Sequence, residues 1–454
     1  MINFVISPNL KNKKSLVYTI YYLTKNLNCE IKISYVKREE ALNIYYGIDC
    51  NEGIHIPCDF STEKIMFSKY KDKLIMSNRV IKEPFIINKN KIEFNYDILF
   101  ISKYLLTCQE EYEIKNRDDK ERFIAELSLR KEKVKIPFFN INSDILLEAI
   151  NVMNKSIGIN KDNFEIFLTH DVDSINSRDK YVFLHNAKVL LTNKNVPLKE
   201  RVSDLFLDII YNRHLQIENY IDIESRRKAK SEFYFIEGEK HRLGKRYDLM
   251  SIKKQIDKIK NSPNHVIGIH TNYFSYKDKG RIQNEINQIE KRTGTKVKSC
   301  RNHYLRFEMP TTLNILSECG IISDSTMGYP DINGFRAGIC ESYVPYDLNE
   351  NKLIDIYETP LVVMDGVVME KSISFQEKWH EIKYNLDSVI KYNGTASVLF
   401  HHRVIVSDEY KCMYEKILDY VVDKGGKFVL SKEFENRKKN DIIAIEKLFS
   451  YIND

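Results

Sequence analysis

Long apolar runs are missing from this chain: none approaches the roughly 18 to 20 residues a membrane-spanning helix needs, so no integral membrane segment is expected. The stretch Met1 to Leu10 has no basic leader, no extended apolar core and no small-residue cleavage site, which predicts a cytoplasmic protein without a signal peptide. Cysteines are few and scattered. The eight of them, at positions 29, 50, 58, 108, 300, 319, 340 and 412, include no CxxC pair, which removes zinc-finger chemistry and predicts reduced thiols. An excess of charge of one sign is also absent: 70 basic against 64 acidic residues leave +6, evenly spread and without a basic tract. Nucleic acid is therefore not an expected partner. No internal repeat organises the chain.

What is present is enough apolar material for a large core, 43% of 454 residues, beneath a surface supplied by 30% charged residues. The pattern divides the chain into two folding units. Residues 1–157 mix short strand-like runs (Ile2–Ile6, Glu30–Tyr35, Lys73–Met76, Ile81–Phe85) with helical stretches at Lys14–Asn26, Ile98–Tyr112 and Ser143–Met153, a small α/β domain. Asp97 is placed to cap the second helix, whose Ile98, Ile101, Leu105 and Cys108 share one face. A linker, Gly158–Asn163, follows.

From Phe164 the rhythm becomes strand, polar cluster, amphipathic helix. The apolar runs are Phe164–Thr169, Ser231–Phe235, Val266–His270, Val297–Arg301, Ile321–Asp324, Ile354–Thr359, Ser397–His401 and Lys427–Leu430. Helical patterns follow at about 248–261, 280–293, 310–319, 374–392, 408–424 and 433–450. Such alternation implies a parallel sheet, and seven or eight units suggest a distorted (β/α)7-type barrel over 158–454. Residues ending barrel strands converge on one mouth. Here those ends carry Asp171 and Asp173, then His270, then Arg301 to Tyr304, then Asp324, and finally His401 and His402.

Two carboxylates held close cannot both ionise cheaply unless a cation lies between them or one keeps a proton. Asp171 and Asp173 thus divide naturally into an unliganded base and a metal ligand. A lone Asp-x-Asp is more often a strand-end turn, but three histidine-bearing strand ends aimed at the same mouth favour chemistry. Imidazole with carboxylate is a first shell suited to Zn²⁺. His401 is a natural general acid, whereas His402 points the opposite way in an extended chain and reads as packing.

The ordered segments Phe164–Asp173 (FEIFLTHDVD), Gly268–Thr271 (GIHT), Cys300–Phe307 (CRNHYLRF), Ser323–Gly328 (SDSTMG), Gly334–Gly338 (GFRAG) and Val398–His401 (VLFH) resemble the motifs of the polysaccharide deacetylases, the NodB-homology or carbohydrate esterase family 4 fold. The preceding region, with Glu110-Glu111-Tyr112 and Asp119–Phe123, resembles an uncharacterised α/β domain found before some of these enzymes. The resemblance implies Asp171 as catalytic base, Asp173 and His270 as metal ligands, Arg301 as the residue orienting the base, and Tyr304 as the aromatic that follows it. It implies His401 as proton donor, with Phe400 standing for the leucine of the last motif. Where the family has a second histidine four residues after the first, this chain has Phe274. Either His303 supplies the third ligand, or the barrel binds glycans without cleaving them. Arg306 and Arg336 are candidates for holding an anionic group on the substrate, with surface ion pairing as the alternative. The resulting expectation is a divalent metal, zinc by ligand type, in a hydrolase removing N-acetyl or O-acetyl groups from a glycan or amino sugar.

Overall fold

A computed structural model describes residues 1–60, 65–155, 157–160, 163–175, 199 and 215–452. The first part is a mixed α/β layer whose six-stranded sheet runs β2-β1-β3-β4-β8-β7, with β1 Ile2–Ile6, β2 Ile31–Ser34, β3 Leu42–Tyr46, β4 Gly53–Ile56, β7 Phe85–Asn88 and β8 Lys91–Phe94. Strands β5 (Met66–Tyr70) and β6 (Lys73–Ser77) form a separate hairpin. All five residues of β1 are buried, as a parallel central strand covered on both faces requires. The strand anticipated over 81–85 begins instead at Phe85, because Pro84 has no amide to give a ladder. The helix anticipated over 98–112 is two helices, Ile98–Leu106 and Gln109–Glu113, broken where Cys108 takes a left-handed φ of 51°. Asp97 does cap the first, its Oδ1 accepting from the Phe100 amide at 2.8 Å while Oδ2 accepts from the Tyr46 hydroxyl at 2.8 Å. Burial pushes this carboxyl up to about 7.

The second part is a curled, all-parallel sheet built from β9 (Glu165–Val172), β10 (Ser231–Phe235), β11 (His265–Thr271), β12 (Ser299–Asn302), β13 (Ser323–Asp324), β16 (Tyr357–Glu358), β17 (Leu361–Met364), β18 (Thr395–Leu399) and β19 (Lys427–Phe428). Between β13 and β16 a two-strand ribbon, β14 (Tyr346–Asp347) and β15 (Lys352–Leu353), projects from the sheet. The strand order is β16-β13-β12-β11-β10-β9-β18-β17, with β19 added beside β9. Its two ends, β16 and β17, are consecutive pieces of chain separated only by Thr359 and Pro360, so one extended segment lies against both β13 and β18. The eight apolar runs all contain strand; β17 was not among them. No helix among the described residues is long and apolar enough to cross a membrane.

The two parts are locked together by buried polar contacts. Tyr18 donates to the Val344 carbonyl at 2.8 Å, and the Val344 amide donates to the Tyr22 hydroxyl at 2.8 Å. Helix Ile98–Leu106 is buried on every side, with apolar residues all around it. Leu27 bridges Ile159, within the anticipated linker, while residues 161 and 162 of that linker lie outside the described residues. The strongest tie is Arg336, whose Nε and Nη2 donate to the two carboxylate oxygens of Glu111 at 2.7 and 2.6 Å, with both side chains almost fully buried. Removing one partner of a buried ion pair leaves the other charge unsolvated. Glu111→Ala is accordingly expected to cost about 3 kcal/mol in urea unfolding; a loss below about 1 kcal/mol would show that this pair does not hold the two parts together.

Candidate functional site

The carboxyl ends of β9, β11, β12, β17 and β18 open into a cavity of about 500 Å³. Strand register brings its polar groups together. Pairing of β11 with β12 sets His270 beside Arg301, and β10 is the only strand between β9, which carries Asp171, and β11. The loop after β12 turns sharply, with Tyr304 and Leu305 both left-handed at φ 60° and 56°. Such geometry costs on the order of 1 kcal/mol per non-glycine residue and is maintained only where the surroundings demand it. Its effect is to turn the His303 ring inward against His270, centroids 4.7 Å apart, and to leave the Tyr304 ring on the wall of the cavity.

Asp173, His270 and His303 form a candidate metal site, with one donor atom of each lying within 4.8 Å of the others. Asp173 Oδ1 is 3.4 Å from His270 Nε2 and 3.5 Å from His303 Nε2, ion-pair rather than hydrogen-bond separations, and this buried oxygen has no hydrogen-bond partner. His270 Nδ1 is 2.7 Å from the Arg301 carbonyl, which accepts its proton and directs the lone pair of Nε2 at Asp173. His303 is held neutral because burial, then the neighbouring His270, push it down to about 3. Burial would raise Asp173, but the imidazoles of His270, His401 and His303 outweigh it and hold the carboxyl well below its usual range. A carboxylate and two imidazoles whose donor atoms lie this close together suit a divalent cation.

Asp171 is 2% exposed and stands beside this triad, its Oδ2 3.6 Å from His270 Nε2 and its Oδ1 without a hydrogen-bond partner. Arg301 approaches Oδ1 through Nη1 at 3.6 Å. It makes no two-bond fork: Nη1 donates to Thr169 Oγ1, Nη2 to Ser325 Oγ and Ser397 Oγ, and Nε to the Ser325 carbonyl, all at 2.7–3.0 Å. The guanidinium thus knits β9, β12, β18 and the chain after β13 together and offers Asp171 its charge rather than a paired hydrogen bond.

His401 faces the triad from the other side, Nε2 3.8 Å from Asp173 Oδ2. Its Nδ1 is 2.7 Å from Asp365 Oδ1. Burial opposes protonation, but the Asp365 carboxylate and hydrogen bond reverse that and push the imidazole up to about 10. Asp365 escaped the sequence reading, although an acid immediately after the apolar run Leu361–Met364 was the available signal. Phe400 is not on the cavity wall: it is fully buried against Tyr414, and Leu399, two residues before His401 and so on the same side of β18, lines the cavity instead. His402 is buried with Nδ1 3.1 Å from the Asp171 carbonyl, a packing position.

Two anticipated substrate residues are elsewhere. Arg336 is committed to Glu111, and Arg306 donates to the carbonyls of Lys120 and Tyr273, pairs with Glu121 and lies over the Tyr273 and Tyr276 rings. Both arginines hold residues 110–122 onto the second part of the chain, and neither lines the cavity. Tyr304 does. Phe274, at the position of the family's second histidine, points away from the triad, 47% exposed with its ring against His241.

Residues 5–155 match the model of a domain family of unknown function, DUF7033. No curated protein matches the chain. Among solved structures, a Mycobacterium smegmatis protein classed as a polysaccharide deacetylase is similar at 12% identity and a TM-score of 0.42, covering 61% of this chain and 91% of its own. A Pseudomonas aeruginosa protein of the same class is similar at 13% identity and TM-score 0.41, covering 61% and 90%. A family 4 acetyl xylan esterase of Clostridium thermocellum, in complex with cobalt, is 14% identical with a TM-score of 0.31 and coverage of 60% and 89%.

Proposed function

We propose that this protein is a metal-dependent hydrolase that removes N-acetyl groups, or chemically adjacent O-acetyl groups, from a glycan or amino-sugar substrate. The observation that carries the reading is the juxtaposition, around one cavity, of an orphaned carboxylate–diimidazole triad with a separate carboxylate on one side and an Asp-paired histidine on the other. The motif resemblance agrees with it except at Phe274, where His303 is the substitute ligand, and at Phe400, where Leu399 takes the place of the last motif's leucine on the cavity wall.

In this reading Asp173, His270 and His303 hold a divalent cation, zinc by donor type. That cation supplies polarisation of the acyl carbonyl and a more acidic water. Asp171 takes the water's proton; its position outside the triad leaves it free to do so. His401, held protonated by Asp365, gives its Nε2 proton to the departing amine. Leu305, Met364 and Leu399 form an apolar patch on the cavity wall that suits a small acyl methyl. The products are acetate and a free amine or, for an ester, a hydroxyl.

Elemental analysis together with acetate release from a panel of N- and O-acetylated sugars tests this. Wild-type protein is expected to retain about one Zn²⁺ or related ion per chain, and Asp173→Ala or His303→Ala to retain less than about a tenth of that while keeping the wild-type circular dichroism, because two ligands do not make a tight site. Full occupancy in His303→Ala would remove His303 from the ligand set, and wild-type protein without a stoichiometric metal would favour a glycan-binding protein that does not cleave.

A further inference from the structure

The cavity carries more positive charge than the proposed hydrolysis uses. Asp171, Asp173 and Asp365 are each engaged by a histidine of the cluster. Beyond them the described residues of the wall include four cations, Arg246, Arg403, Lys120 and Arg122, and one further acid, Glu370. Arg122 is neutralised by Asp118, with Nε donating to Oδ2 at 2.8 Å. The other three have no such close partner among the described residues. Arg246 has its Nη2 3.4 Å from the Asp173 carbonyl, its Nε is buried without a hydrogen-bond acceptor, and no described carboxylate pairs with it. The Arg403 side chain makes no hydrogen bond or ion pair among the described residues, and the Lys120 ammonium has only a long ion pair, 3.8 Å, to the exposed Asp119. A half-buried guanidinium with an unsatisfied N–H is costly unless an anion completes it.

Three of these cations share the cavity wall with one aromatic ring: Lys120 Nζ is 6.0 Å from the centroid of Tyr304, and Arg246 and Arg403 line the same cavity as that ring. Tyr304 is 36% exposed and its ring is tilted against that of His303, centroids 4.5 Å apart, which puts it beside the proposed reaction centre. An aromatic platform in a cavity wall that also carries two guanidinium groups without a described carboxylate partner and a weakly paired ammonium has the chemistry to hold a sugar ring bearing a phosphate or carboxylate. Lys120 belongs to the segment that Arg306 pins to the barrel, so the first part of the chain completes this wall.

We infer that Arg246, Arg403 and Lys120 form an anion subsite around Tyr304, and that the substrate is an acetamido sugar carrying a phosphate or carboxylate group rather than a neutral glycan. The inference rests on the hydrolase reading for the acetamido group, but the subsite itself is a binding claim that can be measured separately. The probes are N-acetylglucosamine, N-acetylglucosamine 1-phosphate and N-acetylmuramic acid, each followed by calorimetric binding and by acetate release. Wild-type protein is expected to bind at least one of the anionic sugars ten or more times more tightly than the neutral one, and preference for the phosphate or the carboxylate sugar identifies the group. Arg403→Gln and Arg246→Gln should each cut that preference about tenfold, the worth of one charge-assisted hydrogen bond, while Arg403→Lys keeps most of it. Equal binding of neutral and anionic sugars, a preference unchanged in the double Gln variant, or no binding of any of the three overturns the subsite. Tight anion-dependent binding without acetate release supports the subsite and counts against the hydrolase; acetate release with no anion preference does the reverse.

Discussion

Replacing Asp171 by asparagine is expected to lower acetate release by about 10² to 10⁴ while the purified protein keeps its metal. The asymmetry comes from where the side chain sits. Asp171 is buried within 3.6 Å of both His270 and Arg301, yet it is not a member of the triad, whose carboxylate comes from Asp173 two residues later. An asparagine amide has the same shape and fits the same space, but it cannot accept a proton from water. Elemental analysis and acetate assays on one preparation read both halves of the expectation. An Asn variant with more than half of the wild-type rate would remove Asp171 as the base, and one that had lost its metal would move it into the ligand set.

His401→Ala is expected to reduce kcat by about 10² to 10⁴ at every pH, with unchanged metal content. The more diagnostic variant is Asp365→Asn. His401 is pushed up to about 10, so the protonated form needed for an acid persists through neutral pH and is lost as pH rises through that value. Its interaction with Asp365 also stabilises the fold, fully below the ordinary imidazole pKa of about 6.5 and progressively less up to about 10. Without the Asp365 carboxylate, only the smaller pull of Asp173 and Asp171 opposes burial. The basic limb of the pH–rate profile should then move down by at least one pH unit, cutting turnover at pH 10 by about fivefold or more. An Asp365→Asn profile superimposable on the wild type would show that His401 is not the titrating acid.

Much of the site was legible in sequence because strand ends are local features. An apolar run that stops at Thr-His-Asp-Val-Asp, Gly-Ile-His-Thr or Arg-Asn-His marks where a parallel strand leaves the sheet, and parallel strands all leave it on the same side. Asp171, Asp173, His270, His303 and His401 could be collected into one mouth on that reasoning, and they line one cavity. Side-chain alternation also separated His401 from His402, although it was not carried back two residues to choose Leu399 over Phe400.

The sequence by itself determined which residue types crowd the ends of the parallel strands and, through alternating strand and helix patterns, that those strands are parallel. It left open what each charged side chain pairs with, because ion pairs join positions hundreds of residues apart that no periodicity relates. Arg336 and Arg306 read as anion-binding residues in a motif context, and only packing assigned them to Glu111 and Glu121 of the first part of the chain. Asp365 gained its role from the register of β17 against β18, which sets Met364 opposite Leu399 and brings the following acid to His401. Nothing in the sequence marks Arg246, or Arg403 at the strand end beside His401 and His402, as a cation without a partner; among the described residues that state is visible only in three dimensions, at the cavity wall. Hydrophobic pattern is a local property, whereas electrostatic pairing and the cost of leaving a charge unpaired depend on distances that the tertiary fold alone sets.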